Sequence, residues 1–401
     1  MRTFIAALTA ACALGTSAAL AQTAAPTTAP SAAPSPTPSP SPTPRPWQAS
    51  GFVAASYNSS SLGSGTNGFS FANGGASRVF DTISNQPMLN AINVQLVKNG
   101  TLSGKLELTA GTTANVIASY PYANNPNALQ TAFDVTQAYL GYTSGLFTVI
   151  GGKFATLAGA EVIEDPANMN VSRSILFGYA IPFTHTGARL TYAPSSMISL
   201  IAGVNNGWDN LKGPGGPRTA ELGAAYTGSI IQLTAQGYIG MERASNSAWS
   251  ATGDSPAGHR ALIDVVGTYK ATPKLTLVGN FDSGRQTAVP LVDALGNPVP
   301  IKGGLGIATW NGVAGYVQYQ LTDKFSAALR GETFTDVGGY RTGYDQRWRE
   351  TTLTFAYAPS APVVFRLEGR SDSSNHLVWV DQAAILRTGM QSVAAQVLVK
   401  F

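Results

Sequence analysis

Charged side chains recur at alternate positions in several stretches of this chain, and that spacing limits the chemistry they can do. Lys105 and Glu107 flank Leu106, Arg330 and Glu332 flank Gly331, and Arg366, Glu368, Arg370 and Asp372 alternate with Leu367, Gly369 and Ser371. In an extended strand successive side chains point to opposite faces, so an i, i+2 series gathers its charges on one face. Arg189, Glu221 and Asp264 hold the polar parity of their own alternating stretches. Rows of this kind sort ions and polar solutes by field and size. The mixed signs can set a transverse field or pair with one another, and the sequence leaves both open. Covalent chemistry has less to draw on. His185, His259 and His376 show no H-E-x-x-H or other metal-ligand spacing, and no G-x-S-x-G elbow is present. A serine–histidine pair assembled in space is the enzymatic alternative. Otherwise no catalytic residue, metal site or cofactor is expected.

The elements that must carry these rows are strands. Leu102, Gly104, Leu106, Leu108 and Ala110 take one parity, and Ser103, Lys105, Glu107 and Thr109 take the other. One face therefore meets an apolar medium and the other meets water. The preceding strand offers Ile92, Val94 and Leu96, and Asn99-Gly100 between the two suits a type I′ hairpin turn. Short turns recur near 143–145, 194–196, 227–229, 272–274, 322–324 and 359–361. Long polar segments lie near 58–87, 112–132, 155–182, 206–218, 241–260, 283–309, 335–347 and 373–390. The pattern predicts about 16 strands in an all-β, antiparallel, up-and-down transmembrane barrel, with short periplasmic turns and long extracellular loops. A barrel of that size is expected to leave an aqueous channel.

Tyr142, Tyr192, Tyr226, Tyr269, Tyr319 and Tyr357 each end a strand just before a short turn, on the apolar parity. The last strand repeats this with Val393, Ala395, Val397, Val399 and the terminal Phe401. Strand propensity favours tyrosine in any sheet. It does not explain one height and one parity across six hairpins, whereas an aromatic girdle at a membrane–water boundary does.

The start of the chain sets the compartment. Arg2, an apolar run from Phe4 to Leu20 and Ala19-Leu20-Ala21 have the layout of a secretory signal peptide, expected over 1–21. Residues 22–46, rich in Pro, Ser, Thr and Ala, predict an extended periplasmic tether, and 47–401 the barrel. Cys12 is the only cysteine and leaves with the signal, so thiol chemistry is excluded. Without Arg2, 24 basic face 21 acidic side chains, too small an excess for a nucleic-acid footprint. No apolar run of about 18 residues follows the signal, which argues against a helical membrane protein.

Among the long segments, 155–182 is the candidate constriction. It carries Glu161, Glu164, Asp165 and Arg173 together with the apolar Ile175-Leu176-Phe177. An external loop with such residues must bury them, either inside the barrel or against neighbouring loops or a partner subunit.

Two stretches carry a resemblance. Gly152-Lys153-Phe154, Gly159-Ala160-Glu161, Asn168, Asn170, Ser172-Arg173-Ser174 and Pro182-Phe183-Thr184-His185-Thr186-Gly187 resemble the OmpL-like β-barrel porin family, as do Asn206-Gly207-Trp208-Asp209 and Arg78-Val79-Phe80-Asp81. The likeness runs from about Trp47 to the C-terminus. It implies an outer-membrane porin, with no catalytic residues or substrate to carry over.

The expectation is therefore a passive porin in the outer membrane of a Gram-negative cell, exported by the Sec route and passing small polar solutes or ions. The alternatives are a non-conducting barrel whose loops act in structure or surface interaction, and a barrel hydrolase. Expected partners are outer-membrane lipid, the barrel-assembly machinery engaging the strand that ends in Phe401, and two further copies in a homotrimer.

Overall fold

The computed structural model describes residues 47–64, 66–74, 76–119, 132–212, 219–242, 258–301 and 305–401. The signal peptide and proline-rich tether lie outside the described residues, as do parts of the first, second, fourth, fifth and sixth long segments.

Sixteen strands close into one antiparallel barrel. They are β1 (Gln48–Ser60), β2 (Gln86–Lys98), β3 (Leu102–Ala110), β4 (Phe133–Ser144), β5 (Phe147–Ala155), β6 (Thr184–Ser195), β7 (Ile198–Asn205) and β8 (Thr219–Thr227). The second half comprises β9 (Ile231–Glu242), β10 (Gly258–Thr272), β11 (Leu275–Val289), β12 (Gly306–Gln320), β13 (Phe325–Val337), β14 (Gln346–Ser360), β15 (Val363–Ser374) and β18 (Gly389–Lys400). Between the last two, β16 (Trp379–Val380) and β17 (Leu386–Arg387) form a small hairpin in the eighth long loop. Each strand pairs with its sequence neighbours, and β1 pairs with β18 to close the ring. Closure leaves no unpaired edge in lipid, the condition for a sheet to span a membrane.

Local chemistry explains the hairpins. Gly100 and Gly145 sit in two of the short turns at φ 127° and 57°, a backbone region that favours glycine. At the closing seam Gly51 donates its N–H to the Phe401 carbonyl at 2.8 Å and accepts from the Phe401 N–H at 3.0 Å. The Phe401 ring lies over Gly51, where a Cβ would stand 2.7 Å from the ring edge.

The usual order of inside and outside is reversed. Leu102, Leu140, Leu222, Ile263, Phe355 and Val393 are exposed on the outer wall, while Lys105, Glu107, Arg330 and Glu350 are buried inside. An exposed apolar band over a polar interior is the signature of a lipid-facing barrel. Tyr142, Tyr226, Tyr269, Tyr319, Tyr357 and Phe401 are exposed at the short-turn end, and Tyr192 is partly covered, stacked on Phe147 with centroids 4.8 Å apart.

The interior departs from an open pipe. Its core joins the long loops to the wall: Ile175, Leu176 and Phe177 of the third loop and Phe71, Trp208, Tyr340, Tyr344 and Trp379 of other loops pack with Trp310 of β12 and Trp348 of β14. Sixteen strands leave room for an aqueous channel, but here inward-folded loops take up much of that room. Their aromatic side chains have no other dry place to go.

Candidate functional site

The site is the third long loop, residues 156–183, together with the charged wall it meets. The loop leaves β5 and is first held to the wall through Tyr238, whose hydroxyl lies 3.1 Å from Thr156 Oγ1. Next, the Ala160 N–H donates to Asn280 Oδ1 on β11 at 3.2 Å. From there it crosses to β13–β15. Glu161 Oε1 meets Arg330 Nη1 at 2.7 Å, and the same nitrogen donates to the Ser172 carbonyl at 2.7 Å. Arg366 Nη2 donates to the Asn168 carbonyl at 2.8 Å, and Arg370 Nη1 to the Arg173 carbonyl at 2.7 Å.

The wall's carboxylates hold the same loop by its backbone. Glu368 accepts from the N–H groups of Val171 and Ser172 at 2.6 and 2.9 Å. Glu332 accepts from those of Ile175 and Leu176 at 2.7 and 3.1 Å. These are charge-assisted bonds, about twice as strong as neutral ones. Trp310 adds an indole N–H to the Ala180 carbonyl at 3.0 Å, fixing the returning limb.

The wall also pairs within itself. Arg330 Nε lies 3.1 Å from Glu350, Arg370 Nε 3.6 Å from Glu350, and Arg370 Nη2 2.7 Å from Asp372. Elsewhere Lys105 meets Glu107 at 2.8 Å, and Arg189 meets Glu221 at 2.9 Å with its guanidinium 4.2 Å over the Phe154 ring. Asp264 faces the interior on β10 without a basic partner among the described residues.

The four loop charges divide in role. Glu161 and Glu164 reach the wall, Glu164 lying 3.6 Å from Lys105. Burial and the neighbouring Glu107 carboxylate raise the Glu164 carboxyl from 4.5 to about 7. Asp165 also meets the wall, accepting from Gln396 on β18 at 3.3 Å, while Arg173 shapes the loop. Arg173 donates to the carbonyls of Val162 and Ile163 at 3.0 and 2.7 Å, pairs with Asp165 at 3.4 Å, and lies 5.0 Å over the Phe80 ring. Just beyond, Asp209 accepts from the N–H groups of Phe183 and Thr184, and burial lifts its carboxyl to about 6.

Lys105, Glu107, Arg189, Glu221, Asp264, Arg330, Glu332, Arg366, Glu368 and Arg370 all lie inside the barrel, each less than a tenth exposed. Sequence reasoning passed over Glu350 and Asp282, which share the inward parity of Thr352 and Asn280 and were legible on that ground. Arg260 and Arg341, stacked against Trp208 at 4.6 and 5.5 Å, were less legible, because their setting is made by three loops. Among the described residues no three His, Cys, Asp or Glu side chains are grouped to hold a metal ion.

Residues 47–396 match the family described as putative beta-barrel porin-2, OmpL-like. No curated protein matches the sequence. Among solved structures, the outer membrane channel DcaP of Acinetobacter baumannii superposes with a TM-score of 0.57 at 10% identity, covering 88% of this chain and 97% of that one. The trimer form of OmpT from Vibrio cholerae gives 0.54 at 12% identity, covering 88% and 99%. The anion-selective porin of Comamonas acidovorans gives 0.52 at 11% identity, again covering 88% and 99%. At such identities the likeness speaks for the fold alone.

Proposed function

The chain belongs to the OmpL-like β-barrel porin family, and from that premise we propose that it is an outer-membrane porin passing small polar solutes or ions, with residues 156–183 as its constriction. The observation that carries this is the anchoring of that loop on Arg330, Arg366 and Arg370 across the interior. A loop held over a charged wall sets both the width of the path and the field across it. Lys105, Glu107, Arg189, Glu221, Asp264, Glu332 and Glu368 serve as further lining groups, and Glu161 and Glu164 as the loop's own charges. The side chains named perform no covalent step in this reading, which makes the protein a channel and not an enzyme.

The setting follows from the same reading. The Sec-type signal takes the chain across the inner membrane, the strand ending in Phe401 is presented to the barrel-assembly machinery, and the tyrosine girdle settles at the periplasmic lipid boundary. The tether of residues 22–46 then lies in the periplasm. A homotrimer is the assembly proposed, in keeping with the trimer form of the OmpT structure.

One observation favours a second reading, a closed barrel. The inward charges are almost wholly covered, Arg330 and Glu107 being 0% exposed. Planar-bilayer recording on the purified protein separates the two. Stable ohmic steps, enlarged when residues 161–175 are shortened, support the porin. Insertion without current from either form supports the closed barrel and would retire the proposal.

A further inference from the structure

The outer wall is not uniform around the barrel. Toward the long loops, β2, β4, β7 and β9 present exposed apolar side chains, Leu89, Phe133, Val204 and Ile239. From β11 to β15 the corresponding outward positions are polar. Arg285 stands on β11, Thr309 on β12, Thr335 on β13, Arg347 and Arg349 on β14, and Ser373 on β15. The three arginines are exposed and share the outward parity of Phe281, Leu353 and Phe355. Among the described residues none of the three guanidiniums pairs with a carboxylate. Every Asp and Glu on the described strands is turned to the inner side.

Height decides what these arginines meet. Tyr357, in the girdle at the short-turn end, lies ten residues from Arg347 along β14. At about 3.4 Å per residue and a tilt of about 40°, Arg347 stands about 26 Å above the girdle. Register gives Arg285 the same height, because Leu275, the partner of Tyr319, lies ten residues before it on β11. The apolar band of a spanning barrel is about 25 Å tall, so both sit at the far boundary, among the headgroups of the outer leaflet. Strand length makes this possible. β11, β12 and β14 each run 15 residues, whereas β5, β7 and β8 run 9, 8 and 9.

The chemistry of the row selects phosphate. A guanidinium offers a planar fork of N–H donors that matches phosphate oxygens, with charge-assisted bonds stronger than neutral ones. Successive outward residues stand about 7 Å apart along a strand, so Arg347 and Arg349 can close on one headgroup. Thr333 and Ser373 are the register partners of Arg349 on either side, and Thr335 is the partner of Arg347, so hydroxyl donors flank both arginines. Arg285 lies three strands away, about 15 Å across the sheet at about 4.8 Å per strand.

We propose that Arg347 and Arg349, with Thr333, Thr335 and Ser373, bind a phosphate of a phosphorylated glycolipid in the outer leaflet, and that Arg285 meets a second phosphate of the same lipid. The site rests on the membrane-spanning reading of the wall and is independent of whether the barrel conducts.

The test is native mass spectrometry of the full-length chain in nonionic detergent, with a bisphosphorylated, acylated glucosamine disaccharide as probe. A saturable one-to-one adduct is expected. A basic side chain near anionic headgroups contributes about fivefold in affinity, so Arg347→Gln combined with Arg349→Gln should bind about thirtyfold more weakly. Arg285→Gln should narrow the preference for the bisphosphorylated over the monophosphorylated form. Lys98→Gln, at the short-turn end of β2, should change neither. All these variants should keep the wild-type melting temperature, so that weaker binding is not a loss of fold. Undiminished binding by the double variant overturns the proposal. Displacement of the lipid by inorganic phosphate at equal concentration also overturns it and assigns a free-anion site. A double variant that changes oligomeric state with lipid binding intact overturns it too, and gives the row to a contact between copies of the chain.

Discussion

Replacing Arg330 with methionine tests whether the wall holds the loop. The guanidinium is fully buried and bonds Glu161 and the Ser172 carbonyl, each at 2.7 Å, as well as Glu350 at 3.1 Å. Methionine fills much of the same space without charge, leaving Glu161, Glu332 and Glu350 facing one another. Removing one partner of a buried ion pair costs about 3–5 kcal/mol, because the other charge stays buried and uncompensated. The two bonds to the loop involve a charged donor and contribute roughly 1.5–3 kcal/mol each. Loop docking should weaken by about 3 kcal/mol or more, roughly a hundredfold in the docked-to-undocked ratio at about 1.4 kcal/mol per tenfold. The assay is single-channel current with reversal potential under a KCl gradient, alongside thermal melting. Arg330→Met should give larger, noisier openings, a reversal potential shifted toward cation selectivity, and a lower melting temperature. A variant matching the wild type in conductance, selectivity and melting would refute the idea that this anchor controls the path.

Three further outcomes follow from the same geometry. Glu164 has its folded carboxyl raised to about 7 from 4.5, so docking of its loop should be strongest below about 4.5 and weaken as pH rises through 7; conductance recorded from pH 5 to 8 should rise, and Glu164→Gln should flatten that rise. Trp310→Ala removes a fully buried indole and its bond to Ala180, and should cost about 3–5 kcal/mol in urea unfolding from lipid vesicles, with Trp310→Phe costing less. Gly51→Val drives a side chain into Asn93 and the Phe401 ring at the seam, so the fraction reaching the compact, heat-modifiable form on semi-native gels should fall. Equal yields would mean that Phe401 moves aside at no cost.

Period-two alternation, short turns against long segments and the tyrosines at one parity were enough to read sixteen strands and which face of each meets lipid. These features are local: a strand's parity and a turn's φ requirements depend on neighbours in sequence, and lipid reverses the burial of every residue by the same rule. For that reason Lys105, Arg330 and Arg366 could be placed inside from sequence. Their partners could not. Glu161 meets Arg330 across 169 positions and Val171 meets Glu368 across 197, separations that only barrel closure spans. Whether mixed-sign rows pair with themselves or with the loop was likewise undecided along the chain. The structure brings both answers together, with Arg330 bound to Glu350 on the wall and to Glu161 on the loop. Asp282 drew no attention because one carboxylate at inward parity is unexceptional. That no basic side chain pairs with it among the described residues appears only when every surrounding strand is in place. The sequence by itself determined the wall, since periodicity is a property of the backbone. Only the tertiary structure decided what fills it, since the loop's path depends on charges and aromatic side chains that closure brings within reach.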